Sequence, residues 1–106
     1  MRDIKFKMSQ PQKGENLVRI YLGGDLSVNT LAELLPKIKA IEKDYSDIEI
    51  NINDVSVFDL ASIQLLVSLQ KSVEKHKKKI KFKIDLSKET MALIESAGFL
   101  KVLKKL

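Results

Sequence analysis

The chain has 106 residues, 44% of them hydrophobic, which suits one modest core and a single domain over residues 1–106. It contains no Cys, which excludes disulfides and thiolate chemistry, and only one His. The net charge of +5 is uneven, because Lys71, Lys75, Lys77, Lys78, Lys79, Lys81 and Lys83 crowd one stretch against Glu74 alone.

The N-terminus alternates Asp3, Lys5 and Lys7 with Ile4, Phe6 and Met8, unlike the continuous apolar run of a signal peptide. No segment reaches the roughly 20 apolar residues of a membrane span, so a soluble cytoplasmic protein is expected. Ile4, Phe6 and Met8 form the apolar row of a first strand. Val18, Ile20 and Leu22 form that of a second, with Arg19 and Tyr21 on the other side. The Pro- and Gly-containing residues 10–16 between them predict a hairpin.

Leu31, Leu34, Leu35, Ile38 and Ile41 share one face of a first helix, behind Asn29 or Thr30 as N-cap. Pro36 removes one backbone donor there, which predicts a kink or a late start. Ile48, Ile50 and Ile52 alternate with Glu49, Asn51 and Asn53 as a third strand, which then gives way to a loop. Leu65, Leu66, Leu69 and Val73 define a second helix ending near His76. Ile80, Phe82 and Ile84 form a fourth strand against Lys79, Lys81, Lys83 and Asp85. Met91, Ile94 and Ala97 define a third helix, opened by Ser87 and stopped at Gly98, before an apolar tail of Leu100, Val102, Leu103 and Leu106.

This order predicts an α/β fold in which strands separated by helices run parallel. Parallel strands covered on both faces read as continuous apolar runs, whereas these alternate. Helices are therefore expected mainly on one face, leaving Glu49, Asn51, Lys81 and Lys83 accessible on the other.

Catalytic chemistry has little to work with. There is no Gly-rich phosphate loop and no His/carboxylate spacing for a metal; Asp54 and Asp59 lack a partnering base or oxyanion donors. No enzyme, metal or cofactor is expected. The lysine stretch suits nucleic acid in principle, but its one ring, Phe82, falls on the opposite strand face. Its plainer reading is a helix end, where cations suit the dipole, followed by a wet strand face, so no nucleic acid is expected. His76 reads as a solvated or C-capping residue.

Residues 51–63, Asn-Ile-Asn-Asp-Val-Ser-Val-Phe-Asp-Leu-Ala-Ser-Ile, carry the most information. They resemble the signature of the STAS domain of anti-sigma-factor antagonists. There an acid precedes a phosphorylatable Ser or Thr, a small residue, Gly and Leu at a helix mouth. Asp59 matches the acid, Ala61 the small residue and Ile63 the aliphatic; Leu60 stands at the phosphoacceptor position and Ser62 at the Gly. Gly24-Asp25-Leu26, Asn53-Asp54-Val55-Ser56 and the segment from Leu86-Ser87 to Ala97-Gly98-Phe99 are similar to further family elements, so the resemblance spans residues 17–103.

The resemblance implies a mixed STAS-like sheet of about four to five strands. It also implies a bacterial partner-switching role, in which a partner serine kinase that is also the anti-sigma factor phosphorylates the helix-mouth hydroxyl. Leu60 takes no phosphate, so that switch is lost, and Ser62 and Ser56 are the alternative phosphoacceptors nearby. The expected partner surface is Asp25, Phe58, Asp59, Leu60 and Ser62, with Asp59 also reading as an N-cap. The alternatives are the STAS subunit of a lipid ABC transport complex at the membrane periphery, and a basic nucleic-acid-binding domain using residues 71–83.

Overall fold

The alternation in the four apolar rows resolves into one sheet, ordered β1-β2-β3-β4, in a computed structural model that describes residues 4–11, 14 and 16–106. The elements are β1 (Ile4–Ser9), β2 (Leu17–Leu26), α1 (Val28–Glu42), β3 (Asp47–Phe58), α2 (Leu60–Lys75), β4 (Lys79–Ile84), α3 (Lys88–Ser96) and α4 (Leu100–Lys104). β1 runs antiparallel to β2, while β2, β3 and β4 are mutually parallel. The turn expected over residues 10–16 lies partly outside the described residues.

Each strand sends alternate residues inward. Val18, Ile20, Leu22, Ile48, Ile50, Ile52 and Phe82 are buried against Leu31, Leu34 and Ile38 of α1 and Leu66, Leu69 and Val73 of α2. Burial of each such side chain contributes about 1.5–3 kcal/mol, which is why the amphipathic faces of α1 and α2 settle on this side of the sheet. Ile63, Ile94 and Leu103 form a second cluster that anchors α3 and α4 beside the first. The opposite face of the sheet carries the polar rows.

Several local expectations change. The N-cap of α1 is Ser27, not Asn29 or Thr30, and the helix begins at Val28, so Pro36 sits inside it with no late start. Both Pro36 and Ala32, the residue whose carbonyl loses its donor, are exposed, so the lost bond falls on the solvent side of the helix. Residues 100–104, read as a tail, form α4. Ser87 does cap α3, its hydroxyl accepting from the Thr90 amide, and Gly98 follows at φ +81°.

β3 does not end before the signature: it continues to Phe58. Pairing to β2 survives because the register shifts around Gly24, with Asp54 at φ +51° and Gly24 at φ +73°. Gly23 is required there, since a Cβ on it would stand 2.5 Å from the Asn53 carbonyl oxygen. This irregularity extends β2 and β3 together, so that Asp25 pairs with Val57 and Leu26 with Phe58.

Glu49 is a further correction. It faces the uncovered side, yet it is only 8% exposed. Arg19 Nε lies 3.3 Å from Oε2 and Lys83 Nζ 3.0 Å from Oε1, and Asn51 Nδ2 donates to Oε2 at 3.2 Å. The carboxylate is roofed by its cross-strand neighbours.

Candidate functional site

The carboxyl ends of β2 and β3 lead directly into α1 and α2, so the first turns of both helices meet at one end of the sheet. Open α/β sheets place ligands and partners at this end. Four amides at each helix start have no intrahelical acceptor, and the chain supplies acids to meet them.

Asp59 is the N-cap of α2. Its Oδ1 accepts from the Ser62 amide at 2.9 Å, and its Oδ2 accepts from the Val28 amide of α1 at 3.2 Å. Ser27, the cap of α1, makes no side-chain bond to its own helix amides, so Asp59 supplies that bond from across the site. Asp25 sits beside it, Oδ1 accepting from the Ser27 amide at 2.9 Å. Two carboxylates thus occupy the positive ends of two dipoles.

Ser62 lies inside this arrangement. It is 0% exposed, with Oγ 2.6 Å from the Leu26 carbonyl oxygen and 2.8 Å from Asp59 Oδ1, so one hydroxyl proton serves both acceptors. Its position corrects the expectation of a surface contact: the hydroxyl locks β2 to α2 and faces no solvent. A phosphate there has no room, and the same burial argues against Ser62 as a substitute acceptor. Ser56 is exposed on the last stretch of β3.

Phe58 and Leu60 flank Asp59, and both are half-buried. Phe58 packs against both apolar clusters, and Leu60 against the one formed by Ile63, Ile94 and Leu103. Leu60 is therefore neither a free knob nor a core residue. Sequence reasoning missed Val57, which is 44% exposed and pairs with Asp25, extending the apolar rim of the site. The signal is a Val at an outward position two residues before the acid, masked by the loop-like composition of Asn53-Asp54-Val55-Ser56, which hides the continuation of the strand. Among the described residues, no cluster of His, Asp or Glu has the makings of a metal site, and no helix is long and apolar enough to cross a membrane.

No protein-family model matches the chain, and no curated protein matches it in sequence. Solved structures do match. The Bacillus cell fate determinant SpoIIAA in its phosphorylated form superposes with a TM-score of 0.60 at 16% identity, over 90% of this chain and 85% of that one. The anti-sigma factor antagonist SpoIIAA in its unphosphorylated form gives 0.63 at 16% identity, over 92% and 84%. The fold is the STAS fold. The mixed α/β sheet expected from the sequence and the resemblance drawn from residues 51–63 meet in that result.

Proposed function

We propose that the chain is a non-enzymatic, cytoplasmic protein–protein interaction module of the anti-sigma-factor-antagonist type in bacterial partner-switching signalling, held permanently in its unphosphorylated state. Its docking surface is the joint mouth of α1 and α2, formed by Asp25, Phe58, Asp59 and Leu60, with Val57 at the rim and Ser62 beneath as a structural tie. The observation that carries this reading is the occupant of the first position of α2. In a fold shared with a protein known in phosphorylated and unphosphorylated forms, a half-buried Leu follows the capping acid.

The physics of such a switch explains what the Leu changes. A phosphate at a helix N-terminus gains from the exposed amides and the dipole, but it adds about −2 charge to a contact surface. Leu60 carries no acceptor, and Asp59 already fills the cap. The partner is accordingly an anti-sigma-factor or serine-kinase-like signalling protein that reads a mouth without phosphate, in which apolar Val57, Phe58 and Leu60 border the Asp25 and Asp59 carboxylates.

Affinity purification from the native cell, read by mass spectrometry, tests the reading. Recovery of a histidine-kinase-like ATPase supports it. Recovery of an ABC ATPase instead would assign the domain to a lipid transport complex. Intact-mass detection of stoichiometric phosphate on Ser56 or Ser62 would revive a displaced switch and remove the permanently unphosphorylated state.

A further inference from the structure

The uncovered face of the sheet carries a second surface, independent of the helix mouths. Strand pairing sets Lys7, Tyr21, Asn51 and Lys83 side by side in one cross-strand row, because Lys7 pairs with Tyr21, Tyr21 with Asn51 and Asn51 with Lys83. Paired residues share a face, and the inward neighbours Ile20, Leu22, Ile50, Ile52 and Phe82 confirm that this row points away from the helices. The sequence discounted nucleic acid because Phe82 turns inward. The fold brings a different ring, Tyr21 from β2, into the lysine field.

Lys5, Lys7, Lys81 and Lys83 are exposed around that half-buried ring. Glu49, the carboxylate nearest the middle of the face, is already engaged by Arg19, Lys83 and Asn51, and Lys5, Lys7 and Lys81 make no ion pair among the described residues. Beside the ring lies a shallow depression of about 390 Å³ whose lining includes Lys5, Lys7, Tyr21, Gly23 and Asn53 beside apolar residues of β1 and β2. A platform ring, an amide side chain and two ammonium groups therefore surround one open hollow.

We propose that this face binds single-stranded nucleic acid, with a base stacked on Tyr21 in the hollow, its edge read by Asn53, and the phosphates tracked by Lys5, Lys7 and Lys81. Exposed sheet faces with aromatic platforms and basic borders recognise single strands in this manner. An acidic peptide would satisfy the ammonium groups but leave the ring and the hollow unused. An anionic membrane would call for apolar side chains protruding among the lysines, and the row offers only one half-buried phenol.

The probe is an oligouridylate of about 12 nucleotides, labelled with fluorescein and followed by anisotropy from about 50 to 200 mM salt. Binding is expected with a slope of log K against log salt of about −2, for about three phosphates neutralised. Tyr21→Ala is expected to weaken binding about tenfold and Tyr21→Phe to leave it within about twofold, because the ring and not the hydroxyl does the stacking. Intrinsic tyrosine fluorescence in a Tyr45→Phe background is expected to be quenched by the unlabelled oligonucleotide; this readout holds even if Tyr21→Ala fails to fold. Unchanged affinity in a folded Tyr21→Ala protein, no quenching, or retention on phosphatidylserine vesicles without oligonucleotide binding would each overturn the proposal.

Discussion

The Val28 amide donates to Asp59 Oδ2 across 3.2 Å, so one carboxylate closes the first turns of both α1 and α2. The two residues are 31 positions apart in the chain. What the sequence offers as a local cap is therefore also a tertiary clasp. It holds the two helix mouths at a fixed distance, and any partner that docks there meets a preorganised surface.

Asp59→Ala should consequently cost more than an ordinary cap, about 2–3 kcal/mol against the usual value near 1. It removes the acceptor for the Ser62 amide and for the Val28 amide at once, and one of the two acceptors of the Ser62 hydroxyl, which keeps the Leu26 carbonyl. Asp59→Asn, which keeps an oxygen acceptor, should lose less. Urea denaturation of the three proteins measures the difference, and a loss in the Ala variant below about 0.5 kcal/mol would show that the clasp contributes nothing.

The pH dependence of stability should carry the signature of Glu49. Burial pushes its carboxyl up, but hydrogen bonds from Lys83 and Asn51, with the charges of Lys83 and Arg19, outweigh it and hold the group below its ordinary value of 4.5. A carboxyl depressed in the folded state contributes stability that is fully present above that ordinary value. The contribution is lost as pH falls from there through the folded value. Wild-type urea midpoints should therefore drop between neutral pH and the acid side of 4.5, and Glu49→Gln should drop less over the same window. Parallel pH profiles for the two proteins would mean that Glu49 is not linked to folding.

Gly23→Ala should destabilise the domain although the substitution is small. The added Cβ would lie 2.5 Å from a backbone oxygen, Asn53 O, which has no flexible side chain to move aside. Relief requires the irregular β2–β3 register to shift, at about 1–3 kcal/mol. Because that register carries Asp25 and Phe58 to the helix mouths, partner binding should weaken along with the melting temperature. A variant with wild-type melting behaviour would show that the strands yield there at no cost.

Much of this fold was legible because period-two alternation and 3.6-residue spacing are local signals. Ile48, Ile50 and Ile52 announced β3, and Leu66, Leu69 and Val73 announced α2. Asp59 was legible as a cap for the same reason. What stayed hidden depends on residues that meet only after folding. The extension of β3 to Phe58 rests on a shifted register with Asp54 at positive φ, and Asn53-Asp54-Val55-Ser56 has the composition of a loop. Burial of Glu49 depends on Arg19 and Lys83 from the strands on either side. Ser62 could not be placed from its neighbours alone, because its decisive partner is the Leu26 carbonyl, 36 residues away.

The remaining prediction concerns Leu60. Half-buried, it packs on Ile63, Ile94 and Leu103 while leaving part of its surface at the mouth of α2. Leu60→Asp sets a carboxylate at the helix-mouth position that the proposed reading assigns to the lost phosphate. The helix N-terminus favours that charge, which offsets part of the packing lost, so the domain should still fold with a lowered melting temperature. Binding to the serine-kinase-type anti-sigma partner proposed above should fall by about a hundredfold or more, because the charge enters an apolar contact without a counter-ion. Leu60→Ser, measured by the same titration calorimetry, should keep affinity within about tenfold and regain an acceptor hydroxyl, so that a cognate kinase labels it and intact mass rises by one phosphate. Unfolding of Leu60→Asp by circular dichroism would make Leu60 a core residue and take it out of the interface. A folded Leu60→Asp protein with full affinity would move the interface away from the helix mouths altogether, since no apolar contact tolerates an unpaired carboxylate at its centre.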